Sequence, residues 1–320
     1  MSKYIGKRLL QTIPMMLAIS VLVFGMMQLS GYDPVDAITT PDMDPAVVNQ
    51  LKEHYGYDKP AYEQYIIWAK NALKGDFGYS IQSSKSINSE LATRIPNSMK
   101  LLVPAYVTAF LLAILIGSLS GYYRNSWFDK FFDSFSSIAI ATPNFWLALL
   151  LMYLFGQKLQ LLPIVGMHEV GNNSFSDFLR HFILPYVVLV MAYLPRLVRY
   201  VRSSTISQTG QDYVLVQKAY GAKNSQILSH HILKNSLLPM ITQVGLMLPY
   251  LITGSIIVES IFSWPGIGSY YIKAITTSDY GVVMSILLLS SFLVIMGSLL
   301  ADILYSIVDP RIRGMGTDGK

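Results

Sequence analysis

The chain has 320 residues, of which 52% are hydrophobic, 13% are charged and none is cysteine. Soluble domains carry roughly 25% charged residues, so this composition indicates a multi-pass membrane protein. The lack of cysteine excludes disulfides, thiolate metal ligands and cysteine nucleophiles, while the net charge of +5 gathers at the ends of apolar runs, which argues against nucleic-acid binding.

Six apolar runs are long enough to cross a membrane as helices of about 20 residues. They lie near residues 9–30, 98–122, 134–156, 181–201, 236–260 and 282–307. The first run follows the basic sequence MSKYIGKR and lacks a small-residue cleavage site, so we expect it to stay uncleaved. The positive-inside rule places both termini in the cytoplasm. The sequence therefore predicts an all-α integral membrane protein with six transmembrane helices, in a single transmembrane domain over residues 1–320.

The segment 32–97, between the first two runs, is predicted to form a small helical extracellular subdomain. Asp44 and Pro45 match a helix cap followed by a proline at the first helical position, and Gly56 would end that helix. A second helical pattern ends at Gly75. This subdomain could receive an external partner or could simply pack over the spans, and the sequence leaves both open.

Two features are expected to shape the predicted spans. Gly117 and Gly121 have the spacing that lets helices approach closely, either within this chain or against another one. Pro143 frees a backbone carbonyl and Asn144 adds a polar amide, so with the nearby Trp146 they are candidates for lining a polar path. A simple kink at the proline is the alternative.

The predicted spans hold few ionisable residues. Glu259 and Asp302 lie near the ends of the last two runs, where water or snorkelling would relieve the cost of a charge. Because proton-coupled carriers usually need central carboxylates, their absence weighs against an ion-driven carrier. The sequence Trp264-Pro265-Gly266 is typical of an external interfacial turn with an aromatic anchor.

The sequence contains no constellation for catalysis or metal binding. It has no phosphate loop of the form G-x-x-x-x-G-K-[ST] and no G-x-S-x-G nucleophile elbow. His168-Glu169 lacks the second histidine of a zinc-protease motif. His230 and His231 would point about 100° apart on a helix, so they could not easily share a metal ion.

A polar and basic segment at residues 205–235 separates the fourth and fifth runs on the predicted cytoplasmic side. Thr209 and Asp212 have the spacing of a capping box, and Asp212 would lie near the positive end of the helix dipole. Gly221 is well placed as the left-handed residue that ends this helix. Either Asn224 or Ser225 would cap a second helix that leads into the fifth run.

The first of these two helices is expected to need a surface to pack against. Tyr213, Val216 and Tyr220 are spaced to form one apolar and aromatic face. A helix of about ten residues is too short to be stable alone in water. The surface could be a soluble partner, the membrane interface or neighbouring loops.

This segment resembles the cytoplasmic loop of the transmembrane subunits of ATP-binding-cassette importers, which has the form E-A-A-x-x-x-G followed by I-x-L-P. Gly221 and the LP of LKNSLLP (233–239) match this form, whereas residues 215–217, Leu-Val-Gln, replace the E-A-A triplet. Nearly the whole chain is similar to the first permease subunit of oligopeptide, dipeptide and nickel importers. The similar stretches are YGYDKPAYEQY (55–65), KGDFGYSI (74–81), RIPNS (94–98), ATPNFWLALL (141–150), QDYV (211–214), IVESIFSWPGIG (257–268) and DPRIR (309–313).

The resemblance implies a non-catalytic permease subunit that forms half of a translocation path for oligopeptides or dipeptides in the bacterial cell membrane. Import of nickel or another metal chelate is the alternative within the family, and a stand-alone ion-coupled carrier or channel is the alternative from another class. The implied partners are a second homologous permease, two cytoplasmic ATPase subunits, an extracellular substrate-binding protein (lipoprotein or periplasmic) and the lipid bilayer. No cofactor would bind this chain, since ATP and Mg²⁺ would be held by the ATPases.

The helix Asp212–Gly221 would be the coupling helix, inserted into a cleft of an ATPase subunit. ATP binding would close the two ATPases, and the helix would pass this movement to the spans as a rigid-body shift. The residues that the resemblance assigns to this role are Asp212, Tyr213, Val216, Gln217, Ala219, Tyr220 and Gly221.

Overall fold

The computed structural model describes residues 2–29, 35, 38–40, 42–237, 240 and 255–308. In these residues the secondary structure is helical, apart from one isolated antiparallel bridge between Tyr79 and Ser86. Four described helices are long and apolar enough to cross a membrane, and they coincide with the first, second, fourth and sixth predicted runs. The chain is therefore an all-α membrane protein.

The described residues of the N-terminal part form three α-helices, α1 (Ser2–Leu29), α2 (Pro45–Tyr55) and α3 (Ala61–Leu73). The predicted caps of α2 are confirmed, because the Asp44 carboxylate accepts a hydrogen bond from the backbone N–H of Ala46 and Gly56 adopts a φ of 75°. Gly75, which follows α3, is also left-handed, with a φ of 80°.

The α2–α3 subdomain packs on α1. The Tyr65 hydroxyl lies 2.9 Å from Ser20 Oγ, and the Tyr65 ring packs edge-on against Phe24. Near the end of α1, the Gln28 amide donates to the Gln64 amide oxygen at 3.2 Å. Of the two roles open to this segment, packing over a span is therefore observed, while reception of a partner stays a prediction.

The core of the protein is the long contact between α4 (Ile87–Tyr122) and α7 (Phe175–Thr209). Gly117 and Gly121 lie in this contact. A Cβ atom on Gly117 would lie 2.7 Å from Val201 Cβ, and one on Gly121 would lie 2.7 Å from Thr205 Cβ, so only glycine permits this approach. The G-x-x-x-G spacing therefore serves packing within this chain.

The third predicted run, 134–156, is not one straight helix. It divides into α5 (Trp127–Ala141) and α6 (Asn144–Leu151), the latter continued by a π-helical stretch, Met152–Lys158, and the two parts are bent by 95°. Pro143 lies at the break with extended backbone angles, φ −64° and ψ 133°. Proline has no backbone N–H and clashes with the preceding turn, which explains why the helix ends here. The break is far sharper than the simple kink considered from the sequence.

The remaining helices of the described residues follow in chain order. They are α8 (Asp212–Ala219), α9 (Asn224–Gln226), a π-helical stretch (Ile227–Ile232), α10 (Leu233–Ser236), α11 (Ile256–Ile261), α12 (Ile267–Thr276) and α13 (Tyr280–Val308). The fifth predicted run, 236–260, falls mainly outside the described residues, as does the side chain of Asp302. The sixth run corresponds to α13.

Trp264 is not the interfacial anchor that the sequence suggested. Its side chain is fully buried, and its indole N–H donates to the carbonyl oxygen of Asn97 on α4 at 2.9 Å. The ring packs near Phe178 and Phe182 of α7. The prediction was wrong because a turn between two short helices folds back onto α4 and α7, a long-range contact that local composition does not reveal.

Candidate functional site

The candidate site is the short helix α8, which lies between the end of α7 and α9. Its side chain at Val214 is fully buried and packs with Ile227 and Ile232 of the π-helical stretch. Tyr122, Tyr213, Ala222 and Leu228 surround this small core. The core holds α8 on a platform made by the rest of the 205–235 segment.

The predicted apolar face of α8 lies mostly at the surface of this chain. Val216 and Tyr220 are 49% and 86% exposed, while Tyr213 is half-buried. Val214 occupies the inward position instead, and Leu215 is also exposed. Residues 214–216 are all apolar, so the pattern alone could not tell which of them faces inward.

The outer surface of α8 therefore presents large apolar side chains to solvent. Among the other predicted site residues, Asp212 and Ala219 are exposed, and Tyr213 and Gln217 are half-buried. Exposed apolar groups of this size on a short helix mark an interaction surface more readily than a solvated one.

The N-terminus of α8 differs from the predicted capping box. Thr209 is the last residue of α7, where its hydroxyl donates to the carbonyl of Ile206 at 2.7 Å, and Gln211 is the cap residue of α8. Helix α7 continues eight residues past its predicted end at residue 201 and so includes Thr209. Asp212 still lies in the first turn of α8, where the positive end of the helix dipole favours a carboxylate.

The C-terminus of α8 matches the prediction for Gly221. This residue has a φ of 75°, and its N–H donates to the carbonyl of Lys218 at 3.0 Å. The N–H of Ala222 donates to the carbonyl of Gln217 at 3.1 Å, which completes a Schellman motif. No atom lies within 4 Å of the place of a Cβ on Gly221, so the need for glycine is conformational and not steric.

The second helix of the segment begins at Asn224, and its cap residue is Lys223 instead of the predicted Asn224 or Ser225. The Lys223 N–H donates to the Gln226 side chain at 3.2 Å. The Asn224 side chain does not cap the helix. Its oxygen accepts a hydrogen bond from the hydroxyl of Tyr122 at the end of α4. The predicted cap was displaced by one residue because a glutamine side chain supplies the acceptor.

Hydrogen bonds join this segment to the long helices. The Tyr122 hydroxyl ties α4 to Asn224 at 2.9 Å, and the Ser204 hydroxyl of α7 donates to the carbonyl of Ser236 at 2.9 Å. The Tyr213 hydroxyl of α8 donates to Gln208 of α7 at 3.1 Å. A force applied to α8 therefore reaches both helices of the core pair.

An ion pair between a half-buried arginine and a buried aspartate joins helices at the same end of the core pair. Arg202 of α7 donates to both carboxylate oxygens of Asp129 on α5, at 2.5 and 2.9 Å. Asp129 also accepts from the Ser120 hydroxyl and from the backbone N–H of Asn125. This cluster connects α4, α5 and α7 beside the segment that carries α8. No motif in the sequence predicts this cluster, and only the presence of an acid and a base near two predicted span ends could have suggested it.

The residues suggested for a polar path lie elsewhere in the fold. Pro143, Asn144 and Trp146 are exposed at the α5–α6 break, whereas Ala148 on the other side of α6 is fully buried. The structure does not bring them together with α8. Their role in a path stays a prediction.

A second buried carboxylate, Glu259 of α11, was missed as a structural centre. Its side chain is fully buried, and it accepts hydrogen bonds from the hydroxyls of Ser98 and Ser255 and from the backbone N–H groups of Gly268 and Ser269. Water or snorkelling was expected to relieve this charge near a span end. The protein itself supplies the donors instead, so that α4, α11 and α12 meet at one carboxylate.

In the part of the chain that the structure describes, no three histidine, aspartate or glutamate side chains lie close enough together to hold a metal ion. His230 is exposed, and its Nδ1 atom lies 2.8 Å from the Ser229 hydroxyl. The described residues therefore offer a surface for protein contact and no metal centre.

Known proteins are similar to this chain over nearly its full length. Residues 113–314 match the family described as binding-protein-dependent transport system inner membrane component, and residues 1–102 match its N-terminal membrane component. The oligopeptide transport system permease protein AppB of Bacillus subtilis is 39% identical over 316 residues, which cover 98% of this chain and 100% of AppB. The glutathione transport system permease protein GsiC of Escherichia coli K12 is 32% identical over 313 residues, which cover 98% of this chain and 99% of GsiC. A putative peptide permease of Brucella ovis is 34% identical over 317 residues, with 98% and 99% covered.

Proposed function

The chain belongs to the family of inner membrane components of binding-protein-dependent transport systems, and from that premise we propose how its helices serve transport. It is a permease subunit of a peptide importer and a multi-pass protein of the bacterial inner membrane. Its transport system includes a substrate-binding protein and ATPase subunits. Family membership favours this function over a stand-alone carrier or channel.

The observation that carries the proposal is the exposed apolar surface of α8, whose inner side packs on Ile227 and Ile232. Leu215 and Tyr220 are 60% and 86% exposed, while Val214 beneath them is fully buried. A protein cleft that covered these side chains would remove apolar area from water and stabilise the contact. We assign this surface to an ATPase subunit, with Asp212, Tyr213, Val216, Gln217, Ala219, Tyr220 and Gly221 forming the coupling site.

Movement would pass from α8 to the spans through defined contacts. Val214 presses on Ile227 and Ile232, and the hydrogen bonds of Tyr122 and Ser204 join that platform to α4 and α7. Since α4 and α7 pack too closely to slide independently, they would move as one body. Closure of the ATPases would thus tilt this pair and change which side of the membrane the path opens to.

The complete transporter would contain a second homologous permease, two ATPases that bind ATP and Mg²⁺, and an external binding protein. This chain would contribute six spans with both termini in the cytoplasm, the extracellular subdomain 32–97 and the cytoplasmic coupling loop 205–235, within one domain over residues 1–320. This chain would transmit movement without catalysing a reaction, and the partner ATPases would hydrolyse ATP. Pro143, Asn144 and Trp146 would lie along the path between the permeases.

Peptide uptake is the direct test of this function. We expect proteoliposomes that hold the complete transporter to accumulate a labelled peptide only with internal ATP and the external binding protein. Mass spectrometry of the purified binding protein should find peptides as its natural ligand. Omission of this permease, with the other subunits present, is the matched control and should abolish uptake. A binding protein that retained only nickel or another metal chelate would contradict the peptide substrate and support the alternative within the family.

A further inference from the structure

The bend between α5 and α6 leaves polar groups unpaired on the surface of the chain. The backbone N–H groups of Asn144, Phe145 and Trp146 form the first turn of α6, and among the described residues none of the three has an acceptor. The Asn144 side chain also makes no hydrogen bond within the described part of the chain. Because Pro143 has no N–H, the carbonyl of Ala139 has lost its helical donor as well. Asn144, Phe145 and Trp146 are all exposed, so these groups are open to a partner from outside the chain.

Two tethers fix the position of the bend along α7. At one end, Asp129 of α5 is paired with Arg202. At the other end, the Arg180 guanidinium donates to the carbonyl of Leu161, just after the π-helical stretch, at 3.3 Å. At 1.5 Å per residue, the part of α7 between the two arginines is roughly 33 Å long, close to the thickness of about 30 Å of a hydrocarbon core. Helices α5 and α6 with the π-helical stretch are together apolar enough to cross a membrane. The bend therefore lies within the membrane-spanning part of the chain.

The acyl chains of the membrane do not suit the outward surface of the bend. Hydrocarbon offers no hydrogen bonds, so non-helical backbone at membrane depth is tolerated only where protein covers it or where it lines a water-filled space. The unpaired groups of residues 144–146 fall under this rule, whereas the surface of an unbroken apolar helix does not. The bend therefore faces protein or water in the assembled transporter.

Water alone does not suit the bend either. Trp146, Leu149 and Tyr153 lie on one side of α6 at the spacing i, i+3 and i+7, and the side chain of each is more than half exposed. Phe145 and Ile138 extend this apolar surface on either side of the break. Covering such side chains removes apolar area from water, which is favourable. Large aromatic side chains together with a few polar groups are typical of the buried core of a protein interface.

We propose that the second permease of the transporter packs on this surface, where it covers Trp146 and Leu149 and supplies acceptors for the unpaired N–H groups of α6. The inference rests on the proposed function, which provides the second permease. Of the partners proposed there, the ATPases are cytoplasmic and the binding protein is external, so only the second permease reaches the middle of a span. The translocation path would then run along the edge of this contact.

Photo-cross-linking at Trp146 tests the proposal in the complete transporter in lipid nanodiscs. Trp146 would be replaced by p-benzoylphenylalanine, an aromatic residue that forms a covalent bond with a neighbouring C–H group on illumination. We expect mass spectrometry to find a product that joins this chain to the second permease. Leu22 is the matched control, because it is similarly exposed but lies on an apolar span without a break. The same reagent at Leu22 should react with lipid.

The other products at Trp146 would each overturn the proposal. These are an adduct with lipid, a link to an ATPase or to the binding protein, and a link within this chain. Equal yields of the second-permease product at Trp146 and Leu22 would overturn it too, because the unpaired groups would then not mark the interface. If the purified complex held no second permease, the proposed function would fail as well. A complex that holds the second permease but gives no link at Trp146 would overturn this inference alone.

Retention of the second permease is an independent measurement. In detergent, we expect Trp146→Ala to lower the amount of second permease that co-purifies with this chain roughly fivefold or more, as is common when a tryptophan at the centre of an interface is truncated. Trp146→Phe keeps an aromatic ring and should retain most of it, and Leu22→Ala should retain all of it. Unchanged retention in Trp146→Ala, or an equal loss in Leu22→Ala, would contradict the proposal.

Discussion

Replacement of Glu259 by alanine should destabilise the folded permease by about 2–6 kcal/mol, the largest effect that we expect of a single substitution. The buried backbone N–H of Gly268 and the half-buried N–H of Ser269 would be left without an acceptor, and such a group costs about 1–3 kcal/mol when it is buried. The hydroxyls of Ser98 and Ser255 could rotate toward other acceptors, so they add less. Thermal unfolding of the purified protein, followed by size-exclusion chromatography, measures the change.

Two further variants show whether the effect comes from the buried carboxylate of Glu259 or from the removal of any acidic side chain. Glu259→Gln keeps one oxygen but turns an NH₂ group toward donors, so we expect an intermediate loss. Glu169→Ala removes an exposed carboxylate from a loop and should leave the unfolding temperature unchanged. If Glu259→Ala unfolded at the same temperature as Glu169→Ala, the four hydrogen bonds would not hold α4, α11 and α12 together.

Replacement of Gly221 by valine should strongly reduce ATP-driven uptake while the ATPases continue to hydrolyse ATP. A non-glycine residue at a φ of 75° is disfavoured by about 1–2 kcal/mol, and for a β-branched residue this backbone is a genuine outlier. That energy corresponds to roughly a 5–30-fold shift in an equilibrium. Because α8 has only eight residues, a loss of this size would unfold its last turn. Tyr220, which directly follows that turn, would then lose its position. Uptake and phosphate release, measured in the same proteoliposomes, give the ratio that defines coupling.

Asparagine at the same position is the matched control. Asn is similar in size to Val but adopts left-handed backbone more readily. No atom lies within 4 Å of the place of a Cβ, so the Cβ atom of neither residue meets a steric obstacle. We expect Gly221→Asn to retain most of the coupled uptake. Equal loss in both variants would contradict a conformational role for Gly221.

Local rules predicted the helix ends well where the cap residues are adjacent in sequence. Asp44, Pro45 and Gly56 bound α2 as expected, and Gly221 ends α8 in a Schellman motif. These features depend on a few neighbouring residues, whose backbone preferences act before any tertiary contact forms. The same rules placed Thr209 wrongly, because a core-packed α7 continues through it and overrides its preference for a cap.

Long-range contacts could not be predicted from the sequence. Val214 faces inward because its side chain packs on Ile227 and Ile232, which belong to a different helix. Glu259 and Trp264 were expected near a water or membrane boundary, yet both are fully buried because a turn folds back on α4. In each case the decisive partner lies too far along the chain for a local pattern to reveal it.

Cysteine cross-linking at α8 tests the central claim, that this surface receives an ATPase subunit. The chain has no native cysteine, so Tyr220→Cys supplies a single thiol on an 86% exposed side chain. Val170→Cys supplies a thiol on the loop before α7, at a side chain that is fully exposed. In membranes that contain the complete transporter, the ATPase subunits would carry the second reactive thiol. We predict that a short bifunctional maleimide joins the ATPase to Tyr220→Cys and not to Val170→Cys. No product from Tyr220→Cys in an assembled transporter, or equal products from both positions, would contradict the claim.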